Sequence, residues 1–214
     1  MATETDADDA LDMEALKGGD DLALNRLMAR HREKLFHYLI RVLQDESEAL
    51  DLAQEAFVRV YVNREKFNPR HRFSTWVYTI ATNLARDRMR WLARHRNVSL
   101  EAPVGNSDVK LADILVETDR QPGEQLQHQE RVAEIKRALA LLAEDLRTPL
   151  LLSEYENLSH AEIGEILGCT AKAVENRIYR ARQQLREKLR HLVELPPSEH
   201  PMSKQRATRS SSSQ

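Results

Sequence analysis

Between Leu158 and Lys188 the segment LSHAEIGEILGCTAKAVENRIYRARQQLREK leaves the backbone few choices. It predicts a short helix, a three-residue turn and a longer basic helix. Ser159 is placed to N-cap the first helix, with Glu162 three residues on to complete a capping box. Leu158 and Ile163 flank that cap at the two staple positions. Gly168 suits the left-handed residue that ends a helix, and Thr170 can cap the next one. On the second helix Val174, Ile178, Ala181, Leu185 and Leu189 recur every three or four residues and form one apolar stripe. The remaining faces carry Lys172, Asn176, Arg177, Tyr179, Arg180, Arg182 and Arg186, side chains that bond phosphates and base edges. This order is that of a helix-turn-helix, whose second helix enters the major groove of DNA. The plainer alternative is an amphipathic helical hairpin with a solvated charged face, and the double capping around a small turn favours the motif.

Composition sharpens this reading through its distribution. The 214 residues are 31% charged and 5% aromatic, which favours small helical bundles over a β-rich fold. The formal net charge is only −2. Yet residues 1–21 hold eight acidic side chains against Lys17, whereas residues 86–96 hold five arginines against Asp87. Residues 171–190 add seven basic side chains against Glu175 and Glu187. Two cationic helical stretches hidden in a near-neutral total are footprints for a polyanion. The single cysteine, Cys169, excludes an intrachain disulfide and reads as a small packed side chain in the turn. No apolar run approaches the ~18 residues of a membrane span, and the acidic start lacks the basic and apolar regions of a signal peptide. A soluble cytoplasmic protein without membrane insertion is expected.

Along the chain, residues 1–19 read as an acidic, mobile N-terminus. Residues 20–96 are helical almost throughout. Leu24, Leu27, Met28, His31, Leu35, Tyr38, Leu39 and Val42 form one face of a long helix. Asp45 and Glu48 suggest a capping box for a second, with Leu52, Ala53, Ala56, Phe57 and Val60 inside. The loop FNPRHRF (67–73) contains an Asn-Pro break. Ser74 is placed to cap a third helix whose inner face is Trp76, Ile80, Leu84 and Trp91. Residues 97–126 lose periodicity around Pro103, Gly105, Pro122 and Gly123 and read as a linker. Residues 127–195 resume with Val132, Ile135, Leu139, Leu142 and Leu146, with a kink or helix end near Pro149 before the helix-turn-helix. Residues 196–214 read as a disordered tail. The fold class is therefore all-α, two small helical domains joined by a flexible linker, the C-terminal one containing the helix-turn-helix.

Catalytic chemistry finds no footing. The eight histidines are scattered, one cysteine cannot build a structural zinc site, and Gly18-Gly19 lacks the Lys-Ser/Thr of a phosphate loop. Asp51 and Glu55 share a helix face, but a solvated or partner-facing surface is the commoner role for such a pair. No metal, cofactor or enzymatic activity is expected. A second nucleic-acid-like surface does stand out. From Phe73 to Arg96, Trp76, Tyr78 and Trp91 alternate with Asn83, Arg86, Arg88 and Arg90, supplying π-faces, amide donors and charge for exposed bases and backbone. Trp76, spaced with Ile80, also reads as core. One duplex-reading domain beside one suited to opened strands fits promoter recognition.

Taken together, DLAQEAFVRVY (51–61) and FSTWVYTIATNLARDRMR (73–90) resemble the N-terminal conserved domain of bacterial sigma factors. AEDLRTPLLLSEYENLS and the following helix-turn-helix resemble their C-terminal domain. The two matches cover roughly residues 20–96 and 126–192. Two domains without an intervening one resemble the extracytoplasmic-function group. The resemblance implies a sigma factor that binds core RNA polymerase, through the β′ clamp and the β flap, and directs promoter recognition and transcription initiation. It implies that Asp51, Gln54 and Glu55 dock on the clamp. The −10 element and strand opening fall to Asn68, Arg70, His71, Trp76, Asn83, Arg86 and Arg90. The −35 element falls to Lys172, Ala173, Asn176, Arg177 and Arg180. The basic loop at 68–71 leaves the captured base open. Promoter DNA and an anti-sigma factor are the further partners implied.

The alternative is a stand-alone dimeric helix-turn-helix regulator that binds duplex DNA without polymerase, with residues 20–96 as a sensing or dimerising module. The acidic N-terminus either competes with DNA for the basic surfaces or merely solubilises the chain.

Overall fold

The structure, a computed structural model, describes residues 4–95 and 122–193, and helices are the regular elements among them. The first is α1, Glu4–Lys17. This corrects the expectation of a mobile N-terminus. Met13 and Leu16 are fully buried, and Asp9 and Asp12 each lie one turn earlier on the same face. The stripe 9, 12, 13, 16 has helical period, but half of it is carboxylate, so apolar spacing alone does not show it. Its partners come from α2, Leu22–Leu43. Arg30 bonds Asp9 at 2.8 Å and Asp12 at 2.5 Å, Arg26 bonds Asp12 at 2.6 Å, and His31 Nε2 lies 2.7 Å from Asp9. Buried carboxylates persist only when paired and hydrogen-bonded in this way. The glycine pair ends the helix: Gly18 N–H donates to Glu14, and Gly19 takes a φ of +94°.

Helix α2 buries Leu27, His31, Leu35, Tyr38, Leu39 and Val42, the face its sequence predicts. Helix α3, Glu46–Val62, is capped by Asp45, which accepts from the Glu48 N–H at 3.0 Å. The other half of the expected box is diverted, because the Glu48 carboxylate pairs with Arg88. After a single 3-10 turn at Arg64–Lys66 comes α4, Phe73–His95. It starts one residue before the anticipated cap, so Ser74 lies inside the first turn and its buried hydroxyl finds no partner. The inward residues are Val77, Tyr78, Ala81, Leu84 and Ala85. Trp91 is not among them. It is 41% exposed, stacked on His95 and covered by Arg88.

The expected linker, 97–126, lies outside the described residues as far as 121, and helix α5 already begins at Pro122 and runs to Ala140. The expected tail, 196–214, also lies outside them. Helix α6, Glu144–Tyr155, runs straight through Pro149. A proline there forfeits one bond, to Asp145 in the first turn, and burial of Leu146, Leu150, Leu151 and Leu152 offsets it. The turn motif is made of α7, His160–Leu167, and α8, Ala171–Lys188, followed by the short α9, Arg190–Val193. The full capping box of Ser159 and Glu162 is present, Gly168 is left-handed, and Thr170 accepts from Ala173 N–H at 3.2 Å. Leu158 and Ile163 are both buried.

The two halves do not stand apart. Helix α6 packs on α2 and α7 on α4, and one continuous apolar cluster runs from Met13 through Tyr38, Phe73 and Leu84 to Leu151, Ile163 and Val174.

Candidate nucleic-acid interface

Three surfaces carry the residues singled out from the sequence. On α3, Asp51 and Gln54 are exposed, and Glu55 is half-exposed and paired with Arg59 at 2.9 Å. Leu50, Val58 and Val62 also face solvent, at 50%, 55% and 67%. Leu50, Gln54, Val58 and Val62 repeat every fourth residue, so apolar and polar groups form one strip along the helix. Beside it opens a groove of about 360 Å³, lined by Met28, Arg32, Phe36, Leu50, Gln54 and Phe57. The apolar half of this surface is not evident in the spacing of inward residues, because it lies on the opposite side of α3.

The second surface is the loop before α4 and α4 itself. Asn68, Arg70 and His71 are exposed, and the Asn68 side chain fixes the loop by accepting from Arg70 N–H at 3.0 Å. Asn83 is exposed, and Arg90 is exposed with a loose 3.3 Å pair to Asp87. Trp76 is half-buried, its ring centroid 5.2 Å from Phe67 and 6.3 Å from Phe73. Packing against these two rings therefore holds it in place. The others already have partners in the C-terminal half. Arg86 pairs with Glu144 at 3.0 Å, and His71 Nδ1 lies 3.1 Å from Glu165.

Two more residues complete this contact: Arg72, which the sequence pattern does not single out, and Tyr78, which reads there as an exposed π-face. Arg72 donates to Asp6 of α1 at 2.8 Å and to Glu162 of α7 at 2.7 Å. Tyr78 is buried and donates its hydroxyl to Glu156. Alongside, the buried Arg41 guanidinium lies 4.0 Å over the Tyr155 ring. Burial pushes the Tyr78 phenol well above its ordinary range, and the adjacent Glu156 carboxylate pushes it further. Burial also raises Glu156 above its ordinary 4.5, although the Tyr78 hydroxyl and Arg41 oppose the shift. For Glu162, burial acts upward, but bonds from Ser159 and Arg72 outweigh it and hold the carboxyl low.

The third surface is the start of α8. Lys172, Asn176 and Arg180 are exposed, while Ala173 and Arg177 are half-exposed. Lys172 pairs with Glu175 at 2.9 Å, and Arg177 reaches Cys169 Sγ at 3.6 Å. Tyr179 is 63% exposed and accepts from Gln183 at 3.0 Å. Glycine is required behind this helix: a Cβ at Gly164 would lie 2.6 Å from the Cys169 carbonyl oxygen. That close approach sets α7 against the turn, and the spacing of apolar residues gives no sign of it. Among the described residues no cluster of three or more His, Cys, Asp or Glu is arranged to hold a metal, and no helix is long and apolar enough to cross a membrane.

A capped helix-turn-helix at one end and an arginine-rich aromatic helix at the other define a two-part nucleic-acid-binding protein. Comparison with known proteins agrees on both parts. Residues 27–95 match the model of Sigma-70 region 2, and residues 133–185 match that of Sigma-70, region 4. The ECF RNA polymerase sigma factor SigW of Bacillus subtilis is 35% identical over 178 residues, covering 83% of this chain and 94% of SigW. RNA polymerase sigma-H factor of Pseudomonas aeruginosa is 32% identical over 187 residues, covering 85% and 93%. Among solved structures, CnrH in complex with the cytosolic domain of CnrY superposes with a TM-score of 0.63 at 25% identity, over 86% of this chain and 98% of CnrH. The fold also matches the sigma factor RpoE of Bartonella quintana, solved with the anti-sigma factor NepR, with a TM-score of 0.58 at 21% identity, over 78% of this chain and 96% of RpoE. The chain belongs to the sigma-70 family of RNA polymerase sigma factors, in its extracytoplasmic-function group. These likenesses support the sigma reading over the stand-alone dimeric regulator.

Proposed function

We propose that this sigma factor divides its work among the three surfaces described above. Asp51, Gln54 and Glu55 on α3 dock on the β′ clamp of core RNA polymerase, with Leu50 and Val58 adding apolar contact to the charged one. Residues 20–96 form the unit that reads the −10 element and captures opened strands. Asn68, Arg70, His71, Trp76, Asn83, Arg86 and Arg90 are its contacts. Residues 127–195 form the unit that reads the −35 element through Lys172, Ala173, Asn176, Arg177 and Arg180 and lies against the β flap. Residues 97–126 connect the two. The protein acts as a cytoplasmic regulator of transcription initiation and carries out no catalysis of its own.

The observation that carries this reading is the α3 strip: carboxylate, amide and apolar side chains left exposed beside an apolar groove, on a chain that also presents the basic start of α8. An anti-sigma partner belongs to the same proposal, since the relative CnrH was solved holding a partner's cytosolic domain. A DNase footprint with and without core polymerase tests the reading. Protection of −35 and −10 sequences is expected only when the core enzyme is present. Specific, symmetric protection by the chain alone would instead establish the duplex-binding regulator.

A further inference from the structure

The loop 67–73, which carries Asn68, Arg70 and His71, is held at both ends by α1. At its start Lys17, the last residue of α1, donates from Nζ to the Phe67 carbonyl at 2.8 Å, and its ammonium lies 5.8 Å from the centroid of the Phe67 ring. At its end Asp6 accepts from Arg72 Nε at 2.8 Å, with the carboxylate side chain only 9% exposed. A third contact is indirect. Asp9 lies 2.7 Å from His31 Nε2, and the His31 ring packs on Phe73, where α4 begins, with 5.0 Å between centroids. Asp6, Asp9, Met13 and Lys17 fall on one face of α1, and the buried Met13 and Leu16 fix that helix to the core. Within the loop the bonds are local: Arg70 N–H donates to the Asn68 side chain and His71 N–H to the Asn68 carbonyl, each at 3.0 Å. Such bonds shape a turn without setting where it stands on the protein.

We propose that α1 positions the strand-capturing loop: Lys17 and Asp6 fix its two ends, so that Asn68, Arg70 and His71 meet the opened −10 strand already in place. The inference rests on the strand-reading role assigned to that loop. Lys17 and Asp6 are positioning residues, and neither side chain is itself a DNA contact. A loop anchored at both ends loses less freedom on binding, and that loss otherwise subtracts from affinity. Anchorage also serves discrimination, because polar groups on a loose loop re-pack around several partners while groups held in one geometry reject the wrong one. Loss of either anchor therefore lowers base preference at the −10 element. Preference at the −35 element, read through α8, stays as it is. The acidic start of the chain thereby takes part in promoter recognition without touching the promoter.

Two single variants of the full chain test the two anchors. Lys17→Met removes the donor and its charge but keeps a long apolar stem over the Phe67 ring. Asp6→Asn removes charge at the other end without changing shape. Arg72 retains its bond to Glu162 in that variant, so the smaller effect is expected there. The control is Arg26→Met, which deletes bonds to Asp12 and Asp20 and so weakens the docking of α1 on α2 without acting on the loop. Each variant is assembled with core polymerase and transcribes a DNA library randomised across the −35 and −10 windows, and the transcribed templates are sequenced. Hydrogen exchange of the loop amides in the free chain reads the anchorage without DNA. In Lys17→Met the −10 preference is expected to fall roughly three- to tenfold, as for the cost of ordering one or two side chains on binding. The −35 preference should equal the parent's, and the loop amides should exchange faster. Arg26→Met is expected to retain the parent's −10 preference and loop protection.

Parental −10 preference in both Lys17→Met and Asp6→Asn overturns the positioning role, and so does an equal fall in Arg26→Met. To keep that failure separate from failure of the strand-reading role, Asn68→Ala with Arg70→Ala is transcribed on the same library. Parental −10 preference in this loop variant refutes the strand-reading role itself. Lost preference there, with preference retained in Lys17→Met and Asp6→Asn, refutes only the positioning by α1.

Discussion

Arg86 and Glu144 meet at 3.0 Å although 58 residues separate them in the chain. The arginine belongs to the longest helix of the N-terminal half, and the glutamate opens a helix of the C-terminal half. Glu144 also accepts from the Thr148 hydroxyl at 3.1 Å, which holds its carboxylate in place at the start of α6. A residue nominated for DNA is thus engaged within the protein, so its availability depends on how the two halves are arranged.

The clamp-docking assignment depends on Asp51, which is exposed on α3. Asp51→Lys is expected to lower affinity for core polymerase by at least about tenfold, since a misplaced like charge at an interface costs several kcal/mol. The far-ultraviolet CD spectrum should not change. Undiminished binding of core enzyme by a folded variant removes Asp51 from the interface.

For the −35 assignment, Arg180→Ala and Arg177→Ala are each expected to weaken the holoenzyme–promoter complex by about 1–3 kcal/mol if they contact base edges. The loss should be confined to promoters with the matched −35 element. Equal occupancy on matched and mismatched elements is the outcome that excludes base reading, and a lower salt slope without loss of selectivity marks a phosphate contact.

Gly164→Ala should destabilise the turn motif. Its new Cβ falls 2.6 Å from a backbone oxygen that cannot swing aside, so α7 must shift away from the turn. A loss of about 1–3 kcal/mol is expected from overpacking, read as a lower melting temperature and weaker duplex binding in the holoenzyme. A melting temperature equal to that of the parent excludes the close approach.

The α1–α2 carboxylate network predicts a pH signature. Burial pushes the Asp12 carboxyl up, but hydrogen bonds from Arg30 and Arg26 outweigh it and hold the group below its ordinary 3.8. A depressed folded value gives stability that is present above 3.8 and lost as pH falls through the folded value. Asp12→Asn is therefore expected to cost about 1.5–3 kcal/mol at neutral pH, as for a hydrogen bond to a charged group. The difference from the parent should shrink on acidification below about pH 4. Chemical denaturation at several pH values measures it. A pH-independent difference shows that the charge of Asp12 has no part in it.

How far the sequence reaches can be seen residue by residue. Ser159, Glu162, Gly168 and Thr170 act within four positions of themselves, and each takes the role its chemistry predicts. The apolar stripes of α2 and α3 are likewise local patterns, and they bury as read. Reading fails where a role depends on a distant partner. Asp9 and Asp12 look like solubilising charges until Arg26, Arg30 and His31 are placed opposite them. Ser74 and Trp91 fail for local reasons: α4 begins one residue before Ser74, and Trp91 stands exposed between Arg88 and His95 of its own helix.

The sequence by itself therefore determined the helices, their caps and the helix-turn-helix, because hydrogen bonds and apolar periodicity within a few residues govern those features. Two motif-bearing regions in order also sufficed for the family. Only the tertiary structure decided which charges are paired. It turned an acidic leader into α1, and it placed Glu144, Glu156, Glu162 and Glu165 against the donors of α4. Such pairings join residues 58 to 94 positions apart, where no local periodicity records them. Electrostatic complementarity between helix faces is set by packing, and packing exists only once the chain has folded.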